Sequence, residues 1–502
     1  EEPWSAPPSG RHKPKEIKGP LPARVELILA NQLYIPKADL PPSLISRLVR
    51  MAAFQNPEFY KRQAMRLATH ATPRIIGCAE EFPLHLALPR GCLEEALYCF
   101  EELGVGVTLH DKRHPGNTIK VKFTGSLREK QQQAARTMLE HETGVLAATT
   151  AFGKTVTAAY VIAERNVNTL ILVHNRELLD QWLAQLKDFL DVSSNKIGQI
   201  RGGRKKPTGV IDVAMIQSLS REGTVDDVVG DYGHIVIDEC HHVPARSFET
   251  VIKQCKAKYV TGLSATVNRK DGHHPIIFMN CGTVRYRVSA KTEAAKRPFH
   301  HHVFVRHTNA TLSTKTSEAE EDTPGIHELY RELIHNESRN EMIRNDVAAC
   351  IHGGRSPVVL TERREHLDLL EKLLRPYTEN LIVLKGGMGV KERRRQFELL
   401  ETVPDDQPRV LLATGRYLGE GFDDARLDTL LLTLPVSWRG TIAQYAGRLH
   451  RMHEGKQEVH IYDYVDRCIP LATKMHQRRC AGYRKLGYTV EDETNSNLLS
   501  RT

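Results

Sequence analysis

The chain has 502 residues, of which 40% are hydrophobic and 26% charged, a composition typical of a globular protein with about three or four domains. Lys and Arg together number 70 against 61 for Asp and Glu, and the net charge of +9 favours a polyanionic partner, with dispersed solubilising charge as the alternative. No apolar run reaches the roughly eighteen residues of a membrane span, so the sequence predicts no transmembrane helix.

The nine cysteines show no C-x-x-C spacing, a pattern typical of reduced thiols in a cytoplasmic protein and unlike a structural zinc site. Two histidine groups, 273–274 and 300–302, are expected on solvated loops rather than around a metal. The chain begins at Glu1 without Met and without a signal-like segment, so we expect it to be part of a longer or processed protein.

The N-terminal part of the chain predicts a linker followed by a small domain. Residues 1–20 are rich in proline and charge and predict a linker. Residues 21–115 combine helix-like segments, such as "LPPSLISRLVRMAAF" and "LEEALYCFEELG", with short apolar runs broken by Pro and Gly. They predict an accessory α+β domain, in which no catalytic constellation is visible.

Residues 116–290 alternate short β-rich apolar runs with helical segments, including "KTVTAAYVIAERN" and "RELLDQWLAQLKDFL". Buried strands separated by helices predict a parallel sheet covered on both faces. The predicted strands lie at 169–175, 210–216, 234–240 and 259–266.

A second α/β block follows an interruption. Residues 291–345 contain the acidic, turn-rich "SEAEEDTP" and predict a linker or insert. Residues 346–502 again alternate strands and helices, and two such blocks in tandem suggest a cleft between them. The predicted strands of this block lie at 357–363, 381–386, 409–415, 429–435 and 459–466.

The stretch "ATTAFGKT" (148–155) nearly matches the phosphate-binding pattern G-x-x-x-x-G-K-[ST], with Ala148 in place of the leading glycine. It follows an apolar run and opens a helix, where backbone N–H groups and the helix dipole attract anions. Lys154 is placed to reach the β- and γ-phosphates, and Thr155 to bind Mg²⁺. A chance G-K-T at a helix start is the alternative.

Carboxylates follow the apolar strand in "HIVIDECHH". Asp238 at the end of this strand can hold Mg²⁺, and Glu239 can polarise an attacking water. In the second block, "QYAGRLHR" places Arg448 and Arg451 three residues apart, which predicts a shared helix face from which both reach the γ-phosphate. A pair of surface arginines is the alternative reading.

Taken in order over about residues 120–466, these motifs resemble those of superfamily 2 helicases of the DEAD/DEAH type, motors with two tandem RecA-like domains. The matching segments are "LREKQ", "ATTAFGKT", "LVHNRELLDQW", "AMIQSLS", "DECHH", "LSATVNRKDG", "VVLTERREH", "ATGRYLGEGFD" and "QYAGRLHR". The resemblance implies the fold class, α/β with two parallel-sheet domains and a small N-terminal α+β domain, with ATP and Mg²⁺ as cofactors.

The resemblance also implies roles for individual residues. The implied catalytic residues are Glu239, Asp238, Lys154, Arg448 and Arg451, the last two as arginine fingers. The implied nucleotide-binding residues are Gln131, Thr150, Gly153, Lys154, Thr155, Asp238, Gly419, Asp423 and Gln444, with Thr155 and Asp238 on the metal. Ser264 and Thr266 are implied to couple hydrolysis to strand movement.

Nucleic acid is expected across both domains, held by its phosphates with little sequence preference. The expected contacts are Arg176, Gln217, Ser218, Arg269, Arg363, Arg364 and Arg416, each with solvated charge or polar capping as the alternative. The basic run 201–206, "RGGRKK", is either a further contact or an exposed loop.

Two finer resemblances concern the branch of the family. "DECHH" and the triplet 269–271 are similar to the XPB-like branch, although Lys270 stands where that branch has Glu. The segment "FYKRQAMRLATHATPRIIGCAEEFPLHLALPRG" looks like the lead-in of helicase modules attached to primases in TOTE conflict systems. It implies a primase partner.

The sequence therefore predicts an ATP-dependent helicase or translocase, with DNA favoured over RNA. A duplex translocase that does not separate strands is one alternative. A non-hydrolysing nucleic-acid-binding module, supported by Ala148 and Ala151, is another. The sequence shows no separate cluster of metal-binding carboxylates, so it does not favour a nuclease.

Overall fold

The computed structural model describes residues 17, 19–149, 152–221, 223–243, 246–267, 271–288, 299–311, 326–415, 424–436, 439–451, 453 and 455–492. These residues form two compact units. The first holds the described residues up to 146 with 156–176 and 183–286, and the second holds 147–155, 177–182 and the described residues from 287 onward. Within the described ranges, no helix combines the length and the apolar character that crossing a membrane demands.

The N-terminal part of the first unit is a five-stranded sheet with the strand order β5-β6-β2-β1-β7 and three helices. Only β1 and β7 pair in parallel; the other neighbours are antiparallel. Side chains of β1 alternate between solvent and core because successive residues of a strand point to opposite faces. The elements are β1 (Arg24–Leu29), β2 (Leu33–Pro36), α1 (Pro42–Met51), β3 (Ala53–Gln55), α2 (Pro57–Ala64), β4 (Ile75–Gly77), β5 (Glu80–Glu81), β6 (His85–Leu88), α3 (Leu93–Glu102) and β7 (Gly106–Asp111), with β3 pairing β4 separately.

The rest of the first unit is built around an eight-stranded sheet with the order β13-β12-β14-β10-β17-β18-β9-β19. Its strands are β9 (Thr143–Ala147), β10 (Thr169–Val173), β12 (Ile197–Arg201), β13 (Arg204–Lys206), β14 (Ile211–Met215), β17 (His234–Ile237), β18 (Tyr259–Ser264) and β19 (Val284–Arg287). Short pairs lie beside it: β8 (Lys122–Phe123) with β11 (Leu190–Asp191), and β15 (Ser220–Arg221) with β16 (Thr224–Val225). The helices are α4 (Glu129–Leu139), α5 (Lys154–Arg165), α6 (Arg176–Phe189), α7 (Ile216–Leu219), α8 (Arg246–Gln254) and α9 (Pro275–Cys281).

The four strands that the sequence predicts here all form, as β10, β14, β17 and β18, and they pair in parallel. All residues of β10 and β17 are buried. Helices on both faces of a parallel sheet produce this burial, which explains why the strands appear in the sequence as continuous apolar runs rather than alternating ones.

The second unit carries a seven-stranded sheet with the order β22-β23-β21-β24-β25-β20-β26, and all its neighbouring strands are parallel. Its strands are β20 (His300–Thr308), β21 (Pro357–Thr361), β22 (Leu381–Leu384), β23 (Val410–Thr414), β24 (Thr429–Leu432), β25 (Glu458–Asp466) and β26 (Thr489–Asp492). Its helices are α10 (Ile326–His335), α11 (Glu337–His352), α12 (Arg364–Leu374), α13 (Val390–Thr402), α14 (Arg439–Leu449) and α15 (Pro470–Leu486).

The prediction of a linker or insert at 291–345 is wrong for its described residues. Strand β20 lies between β25 and β26 in the sheet, and α10 and the start of α11 fall in the same range. The histidine run 300–302 is therefore part of a strand and not a solvated loop. His301 is buried, with its ring 4.8 Å from that of His450 and 5.1 Å from that of Tyr488.

A buried arginine joins the N-terminal sheet to the large sheet of the first unit. The Arg90 guanidinium donates to the carbonyl of Ala257 at 2.8 Å, to that of Asn31 at 3.3 Å and to that of Cys255. Beside it, Gly91 lies against the backbone carbonyls of α9, where a Cβ atom has no room. The two sheets of this unit are therefore held by backbone contacts that tolerate few side chains.

Candidate nucleotide and coupling site

The phosphate-loop candidate runs from the end of β9 to the start of α5. Gly153 has φ of +87°, a conformation that favours glycine. Lys154 is buried at the first position of α5, and its Nζ atom donates to the carbonyl oxygen of Ala148 at 3.3 Å. The Thr149 hydroxyl is buried and makes no hydrogen bond in the described part of the chain. A buried cation, a helix N-terminus and a buried hydroxyl in one loop fit a phosphate group.

Three other residues are expected at the nucleotide: Thr150 and Thr155 belong to this loop, and Gln131 precedes it. Thr155 is half-buried in the first turn of α5, whereas Thr150 lies outside the described residues. Gln131 is buried in the first turn of α4, and its Oε1 atom accepts the backbone N–H of Arg128 at 2.9 Å. That bond fixes the amide side chain at the helix start, and the role of Gln131 in nucleotide binding stays a prediction.

The acidic pair after β17 has a constrained backbone. The Oδ1 atom of buried Asp238 accepts the Glu239 backbone N–H at 2.9 Å. Glu239 has φ of 46° and ψ of 54°, the left-handed conformation, which costs about 1–2 kcal/mol in a residue other than glycine. Such strain is typical of functional positions, because the surrounding structure must hold the side chain in one direction.

His241 connects this acidic pair to the last residue of β18. Its Nδ1 atom lies 3.2 Å from Oε2 of Glu239 and 3.1 Å from the hydroxyl oxygen of Ser264. The Ser264 hydroxyl donates its one proton to the carbonyl of Thr266 at 2.8 Å, so its oxygen acts as the acceptor toward His241. We infer that Nδ1 of His241 carries a hydrogen. The sequence analysis did not single out His241, although its place two residues after Glu239 is visible in "DECHH".

Two further histidines pack nearby in the same unit, with their rings tilted against each other. The His242 ring lies 4.3 Å from that of His241 and 4.2 Å from that of His174, which follows β10. The Gln217 amide donates to the His174 carbonyl at 2.9 Å. The loops after β10, β14 and β17 are thus tied together at one place in the first unit.

The nucleic-acid contacts expected in the first unit differ in exposure and in whether they already make a structural hydrogen bond. Arg176 is exposed at the first position of α6. The hydroxyl of Ser218 accepts the backbone N–H of Gly202 at 2.8 Å, in the turn between β12 and β13, so it also has a structural role. The basic run 201–206 forms this hairpin at the sheet edge, and Lys205 pairs with Asp226 at 2.6 Å. Direct contact of these residues with nucleic acid stays a prediction.

Arg448 and Arg451 do not share one helix face, which corrects the sequence prediction. Helix α14 ends at Leu449, so Arg448 lies in its last turn and Arg451 lies two residues beyond the end. The half-buried Lys456 folds back on this end. Its Nζ atom lies 2.6–3.2 Å from four backbone carbonyl oxygens, those of Ala425, Leu427, Leu449 and Arg451. This ammonium fixes the chain direction after the helix, because it satisfies carbonyls that the helix leaves open.

Three predicted motifs of the second unit meet around Gly415. The Tyr445 hydroxyl, on α14, donates to Oε1 of Glu362 at 3.2 Å. A Cβ atom on Gly415 would overlap both of these groups, so a larger residue here would displace the Tyr445 and Glu362 side chains. Gln444 lies next to Tyr445 on α14 and is half-buried.

The other expected contacts of the second unit lie at the start of α12. The Arg363 guanidinium lies 2.8 Å from Nδ1 of His327 and stacks over the Tyr330 ring at 5.1 Å. Arg364 is exposed.

Five residues of the predicted site lie outside the described part of the chain: Thr150, Arg269, Arg416, Gly419 and Asp423. Among the described side chains, no group of three His, Cys, Asp or Glu residues is arranged to hold a metal ion.

Residues 124–269 match the family described as the res subunit of type III restriction enzymes, ResIII. The chain is 25% identical over 84% of its length to a putative ATP-dependent RNA helicase, L396, of Acanthamoeba polyphaga mimivirus, of which it covers 80%. It is 24% identical over 77% of its length to the probable helicase D10 of Escherichia phage T5, of which it covers 81%. It is 29% identical over 54% of its length to a DNA 3'-5' helicase XPB of Kineococcus radiotolerans, of which it covers 48%.

Two solved structures share the fold. One is S. cerevisiae Dbp5 bound to RNA and ADP BeF3, with a TM-score of 0.51 and 14% identity, covering 75% of this chain and 93% of that one. The other is the type ISP restriction-modification enzyme LlaBIII bound to DNA, with a TM-score of 0.51 and 16% identity, covering 73% of this chain and 31% of that one. The expected resemblance to superfamily 2 helicases, a class of ATP-hydrolysing enzymes, and the expected fold with two RecA-like domains are confirmed.

Proposed function

We propose that this chain is an ATP-dependent motor of the superfamily 2 helicase type that moves along DNA. The observation that carries the proposal is the contact of one imidazole, His241, with both Glu239 and Ser264. It joins a carboxylate suited to activating water to the end of the neighbouring strand β18. A motor needs such a connection, because the state of the nucleotide must be transmitted to the part that grips the strand.

The residues expected around the nucleotide have separate roles in this proposal. Lys154 and the backbone around Gly153 bind the phosphates, and Glu239 orients the attacking water and accepts its proton. Thr155 and Asp238 would hold Mg²⁺, which neutralises phosphate charge when bound. The remaining nucleotide contacts are proposed for Gln131, Thr150, Gly419, Asp423 and Gln444.

Arg448 and Arg451 are proposed as arginine fingers. Their guanidinium groups stabilise the charge that spreads over the transferred phosphoryl group. Since Arg451 lies past the end of α14, its reach depends on the turn that Lys456 holds rather than on the helix. The two arginines are therefore positioned by different parts of the backbone.

DNA is the proposed track, gripped mainly through its phosphates. The relatives are named as DNA and RNA helicases, and the XPB-type names among them favour DNA. The proposed contacts are Arg176, Gln217, Ser218, Arg269, Arg363, Arg364 and Arg416. We also propose a cytoplasmic setting, from the cysteines without C-x-x-C spacing, and a primase partner, from the N-terminal segment that resembles TOTE helicase modules.

A second candidate is a duplex translocase that does not separate strands. One relative, from Sulfurisphaera tokodaii, is named a DNA 3'-5' translocase, XPB2, and is 28% identical over 170 residues. Displacement of a strand from a forked duplex, measured beside displacement of a triplex-forming oligonucleotide, separates the two candidates. Triplex displacement alone would favour the translocase.

The proposal is tested by phosphate release with single-stranded DNA, duplex DNA and RNA. We expect DNA to stimulate turnover of the native chain and Lys154→Ala to lower the stimulated rate about 100-fold, because the phosphates lose their buried cation. Lys187→Ala, an exposed lysine on α6, serves as the control and should keep the native rate. Full stimulated turnover in Lys154→Ala would overturn the site assignment, and a non-hydrolysing binding module would show no release with any nucleic acid.

A further inference from the structure

A projection from the N-terminal part of the first unit concentrates positive charge. It consists of helix α2 and the chain that leads from this helix to β4, and we call residues 57–75 the basic arm. Between positions 59 and 79 the chain has four Lys and Arg residues and no Asp or Glu, against a net charge of +9 for all 502 residues. The four cations are Lys61, Arg62, Arg66 and Arg74.

The cations of the basic arm are not neutralised by carboxylates. Among the described residues, none of the four forms an ion pair, and the side chains of Arg62 and Arg74 donate to neutral oxygens at 2.9 and 3.1 Å. Elsewhere in the same unit, Arg113 pairs with both Asp111 and Glu142 at 2.7 Å. A run of one sign without counter-charges is suited to a polyanion.

The tip of the basic arm carries backbone strain. At the end of α2, the Leu67 N–H donates to the carbonyl of Arg62 at 2.9 Å, and the Arg66 N–H to that of Gln63 at 3.0 Å. This turn places Arg66 in the left-handed region, with φ of 56°, where helix ends usually have glycine. Met65 and Leu67, on either side, are 59% and 51% exposed. A strained cation between two exposed apolar side chains is typical of a binding position rather than of a turn that only closes a helix.

The base of the basic arm is held in place by one buried side chain. The Asn56 amide donates to the carbonyl of Pro73 at 2.8 Å, and its oxygen accepts the Glu58 N–H at 3.1 Å. The Asn56 backbone N–H also donates to the carbonyl of Arg74 at 2.9 Å. Both ends of the arm are therefore fixed at Asn56, so the arm presents its cations without first having to be ordered.

The basic arm starts beside the segment that leaves β18. A Cβ atom on Gly272 would overlap the Pro57 ring, and the His273 ring lies 6.0 Å from that of Phe54. This segment follows Ser264, the last residue of β18. Ligands of parallel sheets bind at the carboxyl ends of the strands, and the segment that touches the arm leaves from such an end.

We propose that the basic arm is a DNA contact that binds the junction between duplex and single strand. Its cations bind backbone phosphates, and Met65 and Leu67 lie against the open face of the last base pair. That face is apolar and is framed by phosphates, as the tip is apolar and framed by cations. An acidic protein surface would satisfy the cations but not the apolar tip. This inference rests on the proposed function, because a motor that separates strands works at such a junction.

The test is binding of the full chain, without nucleotide, to a forked duplex, a dumbbell duplex closed at both ends and a single strand, measured by fluorescence anisotropy. Arg66→Gly should lower the affinity for the fork about five-fold at about 0.15 M salt and reduce the slope of log affinity against log salt by about one, as expected for one lost phosphate contact. Its melting temperature should not fall, because glycine adopts this φ without strain. Lys112→Ala, an exposed lysine after β7, is the control and should keep the native affinity and slope.

The double variant Met65→Ser with Leu67→Ser tests the apolar tip. It should lower the affinity for the fork about five-fold and leave that for the dumbbell and the single strand within about two-fold, because only the fork has an open base pair. Leu84→Ser, an exposed leucine between β5 and β6, is the matched control and should bind the fork as the native chain does.

The outcomes separate this inference from the proposed function. Equal losses on all three DNAs in the double variant would overturn the assignment to the junction, and native fork affinity in both arm variants would overturn the contact itself. Since no nucleotide is present, neither result depends on ATP turnover. Fork binding that is weakened in both arm variants, in a chain whose phosphate release DNA does not stimulate, would refute the proposed motor and support the contact.

Discussion

The Nδ1 atom of His241 lies 3.1 Å from the Ser264 hydroxyl oxygen, and it also faces Glu239 at 3.2 Å. One imidazole therefore contacts both the carboxylate proposed to activate water and the serine proposed to couple hydrolysis to movement. Strands β17 and β18 are parallel neighbours. Glu239 follows β17 and Ser264 ends β18, so His241 contacts the carboxyl ends of both strands.

Ser264→Ala removes the acceptor for His241 and should weaken coupling more than hydrolysis. We expect DNA-stimulated phosphate release to stay within about two-fold of the native rate and strand displacement per ATP to fall about five-fold, the factor for one hydrogen bond of about 1 kcal/mol. Both rates are measured on one preparation, with Ser194→Ala, an exposed serine, as control. Equal losses of both rates would assign Ser264 to the chemical step instead.

Arg90→Ala should loosen the N-terminal sheet from the large sheet of the first unit. Three backbone carbonyls, of Asn31, Cys255 and Ala257, lose their donor in a buried place. We expect the free energy of unfolding to fall by about 2–4 kcal/mol. Denaturant unfolding measures it, and hydrogen exchange should rise in β1 and in the segment around Ala257.

Gly91→Ala tests the same contact by steric means. The added methyl group meets the backbone carbonyls of Phe278 and Met279, so we expect a loss of about 1–3 kcal/mol. Gly77→Ala is the matched control, because a Cβ atom there has open space. Equal stability of the two variants would contradict the close packing at Gly91.

Lys456→Met keeps most of the side-chain length but removes the ammonium from its four carbonyl oxygens. We expect the melting temperature to fall and the free energy of unfolding to decrease by about 1–3 kcal/mol. We also expect kcat for ATP to fall by a larger factor than KM rises, because the turn that carries Arg451 loses its anchor. Lys485→Met, an exposed lysine of α15, should change neither quantity. An unchanged kcat in a destabilised Lys456→Met would show that the lysine supports only the fold.

The stability of the second unit should fall with acid through His366. Its ring is buried between the Thr361 hydroxyl and the Asn340 side chain, both at 3.0 Å, and burial lowers its pKa to about 3, with help from Arg339 and His335. Above about pH 6.5 the ring is neutral whether the chain is folded or unfolded. Between about pH 6.5 and pH 3 only the unfolded chain binds the proton, so the free energy of unfolding falls by about 1.4 kcal/mol per pH unit.

His366→Gln should remove this component of the pH dependence. Unfolding curves between pH 7 and pH 4 measure the difference from the native chain. His352→Gln, an exposed histidine at the end of α11, should keep the native slope. A native slope in His366→Gln would assign the acid sensitivity to other groups.

The sequence determined four strands of the eight-stranded sheet, five strands of the seven-stranded sheet, several helices and the order of the motifs. Runs such as 169–175 and 429–435 are apolar because parallel strands covered on both faces bury every residue, and that burial is visible in one dimension. The places of Lys154 and Asp238 followed from the same patterns, because a turn with Gly153 opens one helix and a carboxylate directly follows one strand.

Only the tertiary structure decided which distant residues meet. Arg90 and the carbonyl of Ala257 are 167 residues apart, and strand β20 enters the sheet beside β25, 158 positions further on in its register. The contacts of His241 with Ser264 and of Phe54 with His273, like the end of α14 before Arg451, depend on strand order and helix length. The physical reason is that periodicity records how deeply each residue is buried, whereas the partner of a buried polar group is set by which elements pack together.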